Sequence, residues 1–117
     1  MWSIKFCPEA IKDLKKIDNS LVKQVLAGIR KVSTNPLPHS EGGYGKTLGN
    51  IQGSDLTGFF KIKYRGIGIR VVYTLVRHKE IMNIVVISIR DDNESYKRAQ
   101  KRKEKYGKTL FKDIFRT

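Results

Sequence analysis

The chain has 117 residues, one cysteine and a formal charge of +13, from 24 lysines and arginines against 11 acids. That length suits one domain around a single core and leaves little room for a second, and a lone cysteine excludes an internal disulfide and zinc-finger spacing. The charge exceeds what solubility requires and points to a polyanionic partner, nucleic acid or an acidic protein; with no apolar run near the ~18–20 residues that span a bilayer and no long apolar leader, a reducing, cytoplasmic setting is expected.

Trp2, Ile4 and Phe6 alternate with polar residues and predict a short first strand. Pro8 then falls in the first turn of a helix running to about Ile17, with Ala10, Ile11, Leu14 and Ile17 on its apolar side. Asp18-Asn19-Ser20 breaks that helix and offers N-caps for a second, whose stripe is Leu21, Val22, Val25, Leu26, Ile29 and Val32. Asn35-Pro36-Leu37-Pro38 stops it, and the pair reads as a helical hairpin packed on a sheet. From His39 to Asp55 glycine, serine and asparagine dominate, which predicts a loop.

Three strands are expected next, over about Leu56 to Tyr64, Ile67 to Val76 and Ile81 to Ile89, close enough to form an antiparallel meander. Asp91 and Asp92 are candidate caps for a last helix from about Asn93 to Lys105. Residues 96 to 117 carry nine bases against Glu104 and Asp113, a second basic region. A pentapeptide recurs, Tyr44-Gly45-Lys46-Thr47-Leu48 and Tyr106-Gly107-Lys108-Thr109-Leu110. It is no phosphate-binding P-loop, since Ser40 and Arg102 stand where that motif needs glycine, and it is assigned no function.

The stretch from Phe59 to Tyr73 alternates bases with large apolar residues on both sides of a glycine-containing turn. A turn at Gly66-Ile67, with Gly66 free to take positive φ, pairs Arg65 with Gly68, Lys63 with Arg70 and Lys61 with Val72. Tyr64 then opposes Ile69, Ile62 opposes Val71 and Phe60 opposes Tyr73, which gives one apolar face, while Lys61, Lys63 and Arg70 share the other. Like charges across a ladder repel by about 1 kcal/mol at ~4 Å in water. An ordinary solvated face is the usual explanation of strand bases. Here no acid lies between Leu56 and Arg77, so an anionic partner is expected to offset the repulsion.

His39 and His78 stand alone in polar loops, and helix capping accounts for Asp91, Asp92 and Glu94. Metal-dependent hydrolysis and a hydrolase triad are therefore disfavoured. The basic face, together with Arg90 at the end of the third strand and Tyr96 near the start of the last helix, can still cut RNA. The ribose 2′-hydroxyl is an internal nucleophile, so an enzyme need only deprotonate it, stabilise charge on phosphorus and help the 5′-oxygen leave. Arginines supply the second need. A lysine crowded by cations has its charged form disfavoured and becomes a candidate general base.

These residues resemble the RelE/ParE superfamily of bacterial type II toxins, in particular the RelE-like mRNA interferases. The resemblance covers roughly Ile4 to Lys101 and rests on Phe60-Lys61-Ile62-Lys63-Tyr64-Arg65, Gly68-Ile69-Arg70-Val71-Val72-Tyr73, Ile87-Ser88-Ile89-Arg90 and Glu94-Ser95-Tyr96. Family members often carry a Gly-Lys pair before the arginine matching Arg90, where this chain has a shortened Ile89-Arg90 junction.

The resemblance implies an α+β RelE-like microbial RNase fold, with an N-terminal strand and helical hairpin packed on an antiparallel sheet and a C-terminal helix. Residues 1–117 would form a single RelE-like toxin domain, with 102–117 a basic C-terminal extension that either contacts ribosomal RNA or packs through Leu110, Phe111, Ile114 and Phe115. The implied activity is ribosome-dependent cleavage of translated mRNA without metal or cofactor, by Lys61, Lys63, Arg70, Arg90 and Tyr96. Lys61 or Lys63 would be the base, Arg70 the phosphate and transition-state ligand, Arg90 the aid to the leaving oxygen, and Tyr96 a platform stacked on the RNA base. Arg65, Arg77, Lys97, Arg98, Lys101 and Arg102 are the candidate RNA- or ribosome-binding residues. The implied partners are the ribosome, mRNA and a cognate acidic antitoxin. A ParE-like inhibitor of DNA gyrase and a non-catalytic RNA-binding module are the alternatives.

Overall fold

The computed structural model describes residues 1–51, 53–89 and 91–116, with the backbone alone for Ile51. Its elements are β1 (Ser3–Phe6), α1 (Pro8–Lys15), α2 (Asn19–Ser33), β2 (Lys46–Ile51), β3 (Ser54–Tyr64), β4 (Ile69–Val76), β5 (Ile81–Ser88) and α3 (Asp92–Tyr106), with 3-10 turns at His39–Glu41, Arg77–Lys79 and Gly107–Phe111. Five strands form one sheet in the order β1-β5-β4-β3-β2. Strands β2 to β5 run antiparallel as a meander, while β1 joins β5 in parallel, Ser3 opposite Ile81. A parallel neighbour needs a long crossover, which the helical hairpin begins. No helix among the described residues is long and apolar enough to cross a membrane.

The β3–β4 ladder has the register its side-chain alternation dictates: Phe60 faces Tyr73, Ile62 faces Val71, Tyr64 faces Ile69 and Lys63 faces Arg70. It stops one pair short of the expected turn. Arg65–Gly68 make a four-residue connection instead of a two-residue one at Gly66-Ile67, with positive φ at both Gly66 (87°) and Gly68 (68°). The second strand accordingly starts at Ile69. The apolar face packs under α2, where the Tyr64 hydroxyl donates to Val25 O at 2.5 Å and the ring presses on Gly28. A Cβ at Gly28 would lie 2.5 Å from that ring, so the glycine allows the close helix-to-sheet approach.

The expected loop over His39–Asp55 contains β2, which extends the meander to four strands. Leu48 is its buried apolar anchor. A register shift between Thr47 and Gly49, where Gly49 has φ 60°, hides the period-2 signal.

The opposite face of the sheet is covered by α3 and the Gly107–Phe111 turn. Leu110 is fully buried, its carbonyl accepting from Thr74 Oγ1 and Asn83 Nδ2, and Phe111 meets Phe59 edge-on at 5.7 Å. Phe115 is buried as well, whereas Ile114 is exposed. The tail returns to β1, where Arg116 bridges Phe6.

Helix α1 seals the edge of β5 beyond its pairing with β1. Asp13, 6% exposed, accepts the Ile87 amide at 3.0 Å, and the Cys7 thiol donates to Val85 O.

Candidate active site

Two ladder pairs place four cations on one face of the sheet. Lys46 of β2 lies opposite Lys61 of β3, and Lys63 lies opposite Arg70 of β4, which in turn pairs with Ser88 of β5. Directly opposed residues share a face, as do Lys61 and Lys63 two apart, so the row crosses three adjacent strands. Lys46 escaped the sequence reading because its strand did.

The N-terminus of α3 lies over this row. Lys61 Nζ donates to the Tyr96 hydroxyl at 2.9 Å and reaches Asp92 Oδ2 at 3.5 Å, while Arg70 Nε donates to Asp92 Oδ1 at 2.8 Å. Asp91 is the true N-cap, accepting the Glu94 amide at 3.0 Å. Asp92, expected to share the capping, instead turns its carboxylate onto the cations, and the helix's partial positive charge points the same way. The sheet cations, a helix N-terminus and one carboxylate thus meet at one place, an arrangement suited to an anion.

This carboxylate offsets the crowding of cations around Lys61. Burial pulls the Lys61 ammonium down, but the hydrogen bond to Tyr96 and the Asp92 charge outweigh it and leave its pKa raised. Asp92 is the mirror case. Burial pushes it up, yet the Arg70 hydrogen bond and the Lys61 charge hold it below the usual carboxylate range. Lys61 is therefore held as an ammonium donor and Asp92 as a carboxylate acceptor.

The remaining candidates separate by location. Tyr96 is only 8% exposed, and Lys61 Nζ lies 5.6 Å from its ring centroid, so in this arrangement the ring holds Lys61 and offers no open stacking surface. Lys63 and Arg65 are exposed beside the β3–β4 turn, and Lys97 and Lys101 are exposed on α3. Arg98 is half-buried against Glu94. Arg77 stands beyond the far end of β4, roughly 20 Å from Arg70 at ~3.3 Å per residue, and grips Glu41 with both terminal nitrogens at 2.9 Å. Arg102 turns inward: its guanidinium closes on Asp13 at 2.6 and 3.1 Å and on Val85 O at 2.7 Å, a structural pairing that withdraws it from the surface. Arg90 lies outside the described residues. The two copies of the pentapeptide take different conformations, one starting β2 and the other a 3-10 turn, in keeping with a chance repeat.

At the β2–β3 end of the row, a groove of about 280 Å³ is lined by Lys46, Lys61 and Lys63 with Lys31 of α2 and exposed Tyr44. Neither Lys31 nor Tyr44 had a signal in the chain's local pattern.

The α+β fold is one that this chain shares with known proteins. Residues 4–96 match the model of the ParE toxin of the type II toxin-antitoxin system parDE. The chain belongs to that family, within the RelE/ParE superfamily of toxins. It is 26% identical over 104 residues to an Escherichia coli protein described as a RelE-like toxin, covering 86% of this chain and 96% of the relative. Its fold is shared with an arginine-to-alanine double mutant of E. coli RelE in the free state (TM-score 0.67, 22% identity, 86% of this chain and 96% of that one). The intact E. coli RelBE toxin-antitoxin complex also contains a similar chain (TM-score 0.58, 19% identity, 75% and 95%).

Proposed function

We propose that this toxin is a ribosome-dependent endoribonuclease that cuts translated mRNA by attack of the ribose 2′-hydroxyl on its own phosphodiester, leaving a 2′,3′-cyclic phosphate or 3′-phosphate and a 5′-hydroxyl. The observation that carries the reading is the row Lys46, Lys61, Lys63 and Arg70 under the N-terminus of α3, with Tyr96 fixing Lys61. Such a row neutralises a phosphodiester and favours the extra negative charge of its transition state. The nucleophile comes with the RNA, so side-chain charge meets the chemical need without a metal.

Arg70 holds the scissile phosphate and stabilises the transition state, as its fixed fork suits phosphate oxygens. Lys61, held as an ammonium by Tyr96 and Asp92, adds charge to the same oxygens. Arg90 is assigned to the leaving oxygen by resemblance alone. Tyr96 serves by orienting Lys61, a revision of the stacking role prompted by its burial. Lys63, Arg65, Lys97 and Lys101 provide exposed positive charge for RNA or ribosome. Residues 1–117 act as one cytoplasmic toxin domain in which 107–116 belong to the packed unit.

An acidic antitoxin segment covering the basic face is the expected partner, supported by a RelE-type chain of the same fold in a toxin-antitoxin complex and by the charge of +13. Inhibition of DNA gyrase is the second reading, favoured by the ParE family match. Mapping transcript 5′ ends after induction separates the two. New ends inside translated codons support the nuclease, whereas intact mRNA with trapped gyrase–DNA complexes overturns it. Ribosome or RNA binding with neither outcome identifies a non-catalytic module.

A further inference from the structure

We infer that Asp92 is the general base of the cleavage step, taking the 2′-hydroxyl proton of an RNA whose phosphate is held by Arg70. The inference rests on the ribonuclease reading and replaces the lysine base that charge crowding suggested.

Four observations support it. The Asp92 carboxylate is bonded to two of the cations assigned to the phosphate, Arg70 at 2.8 Å and Lys61 at 3.5 Å. Its side chain is 36% exposed, against 14% for Arg70 and 21% for Lys61, so it is the most accessible of the three. Arg70 meets it through Nε and meets Ile69 O through Nη1, while no contact among the described residues engages Nη2, which can take a phosphate oxygen beside the carboxylate. The 2′-oxygen lies next to that phosphate in any ribonucleotide, and hence within reach of Asp92. No hydrogen bond or ion pair among the described residues joins His39 or His78, each in a 3-10 turn, to Lys61, Arg70 or Tyr96.

The step balances without a co-reactant. Asp92 accepts the proton as the 2′-oxygen forms its bond to phosphorus; the bond from phosphorus to the 5′-oxygen breaks, and that oxygen takes a proton from solvent water. The proton held by Asp92 then passes to solvent, which restores the carboxylate and balances the step. Arg70 and Lys61 weaken Asp92 as a base while the site is empty. Phosphate binding divides the Arg70 charge between two anions and so restores part of that basicity. Among the described residues, the charged and titratable groups around Asp92 are Lys61 and Lys63 of β3, Arg70 of β4, and Asp91, Glu94 and Tyr96 of its own helix, with Lys46 of β2 one ladder pair away.

The test measures cleavage of a ribosome-bound mRNA by the full-length toxin, with kcat and KM for wild type, Asp92→Asn and Asp92→Glu, each checked for an unchanged melting temperature. Asp92→Asn should lower kcat by about 10²- to 10⁴-fold with KM equal or lower, since a repulsive charge has left the phosphate site. Asp92→Glu should recover part of the rate, and the acidic limb of the wild-type kcat–pH profile should vanish in Asp92→Asn. Equal or faster cleavage by Asp92→Asn overturns the inference and marks the carboxylate as an occupant that RNA displaces. A loss confined to KM, or one that follows a fall in melting temperature, overturns it in favour of a positioning role. If the wild type cuts no RNA, the nuclease reading itself fails and the inference with it.

Discussion

Arg102 offers the sharpest separation between a role read from charge and a role set by packing. As an RNA contact it would be dispensable for folding. In the structure its side chain is 14% exposed and its partner Asp13 6%, with two nitrogen-to-carboxylate contacts at 2.6 and 3.1 Å. Arg102→Ala leaves the Asp13 carboxylate buried with the Ile87 amide as its remaining described donor. Removing one member of a buried pair costs about 3–5 kcal/mol, and the partial exposure of Arg102 places this case near the lower end. For a domain of this size, at ~4 °C per kcal/mol, the melting temperature should fall by roughly 12 °C.

Calorimetry and urea midpoints on the isolated toxin measure that loss. The double variant Asp13→Asn/Arg102→Met keeps an acceptor for Ile87 and removes both charges, so it should recover more than half of the loss. A change below 2 °C in Arg102→Ala, accompanied by weaker and less salt-dependent RNA binding, would refute the packing argument and return Arg102 to the RNA interface.

Other variants probe the remaining contacts. Gly28→Ala gains about 1 kcal/mol of helix propensity but drives a methyl to 2.5 Å from the Tyr64 ring; a net loss of ~1–2 kcal/mol by denaturant titration is expected, and a gain would show that the ring moves freely. Truncation after Lys105 removes fully buried Leu110 and strips the buried Thr74 and Asn83 side chains of a shared acceptor. The shortened protein should therefore lose cooperative unfolding, and a sharp melt at the wild-type temperature would make the tail an appendage. Burial pushes the Glu9 carboxyl up, but Lys105 and the Tyr106 hydroxyl hold it down at about 2 from an ordinary 4.5. Because the folded value is the lower one, the stabilisation is complete above about 4.5 and disappears as pH falls through about 2. The difference in unfolding midpoint between wild type and Glu9→Gln should shrink over that interval, and a constant difference would refute the linkage.

The β3–β4 register was legible because period-2 alternation on both arms leaves one pairing that keeps Phe60, Ile62, Tyr64, Ile69, Val71 and Tyr73 together. The stripe of α2 was legible for the same kind of reason, and Val25, Ile29 and Val32 are buried as it requires. Strand β2 was not, since one inward anchor, Leu48, followed by a glycine at a register shift carries no period. Asp13 was hidden because its partner lies 89 residues away and its neighbours Lys12, Lys15 and Lys16 make the helix look solvated. Adjacent Asp91 and Asp92 are equally good caps on paper. Their division into a cap and a site carboxylate follows from the α3 axis relative to β4, which no local pattern encodes.

That axis is set mostly by polar contacts. Among its buried residues α3 has Ser95, Tyr96 and Ala99, a thin apolar contribution for a 15-residue helix. Its C-terminal half is tied down by Arg102 to Asp13, Lys103 to Asp55 O, and Lys105 and Tyr106 to Glu9; its N-terminal end is held by Tyr96 to Lys61 and Asp92 to Arg70. The exposed ties weaken with salt while β4 and β5, buried along most of their length, do not depend on charge. Raising salt from ~0.05 to ~1 M, where the screening length drops from more than ~10 Å to ~3 Å, should therefore speed amide exchange at Tyr96 and Ala99 well before Val72 or Val86. Any cleavage activity should fall over the same range, since Asp92 and Tyr96 are placed by that helix. Uniform exchange across helix and sheet would mean that α3 is held by its apolar contacts and that the ion pairs contribute little to the geometry of the site.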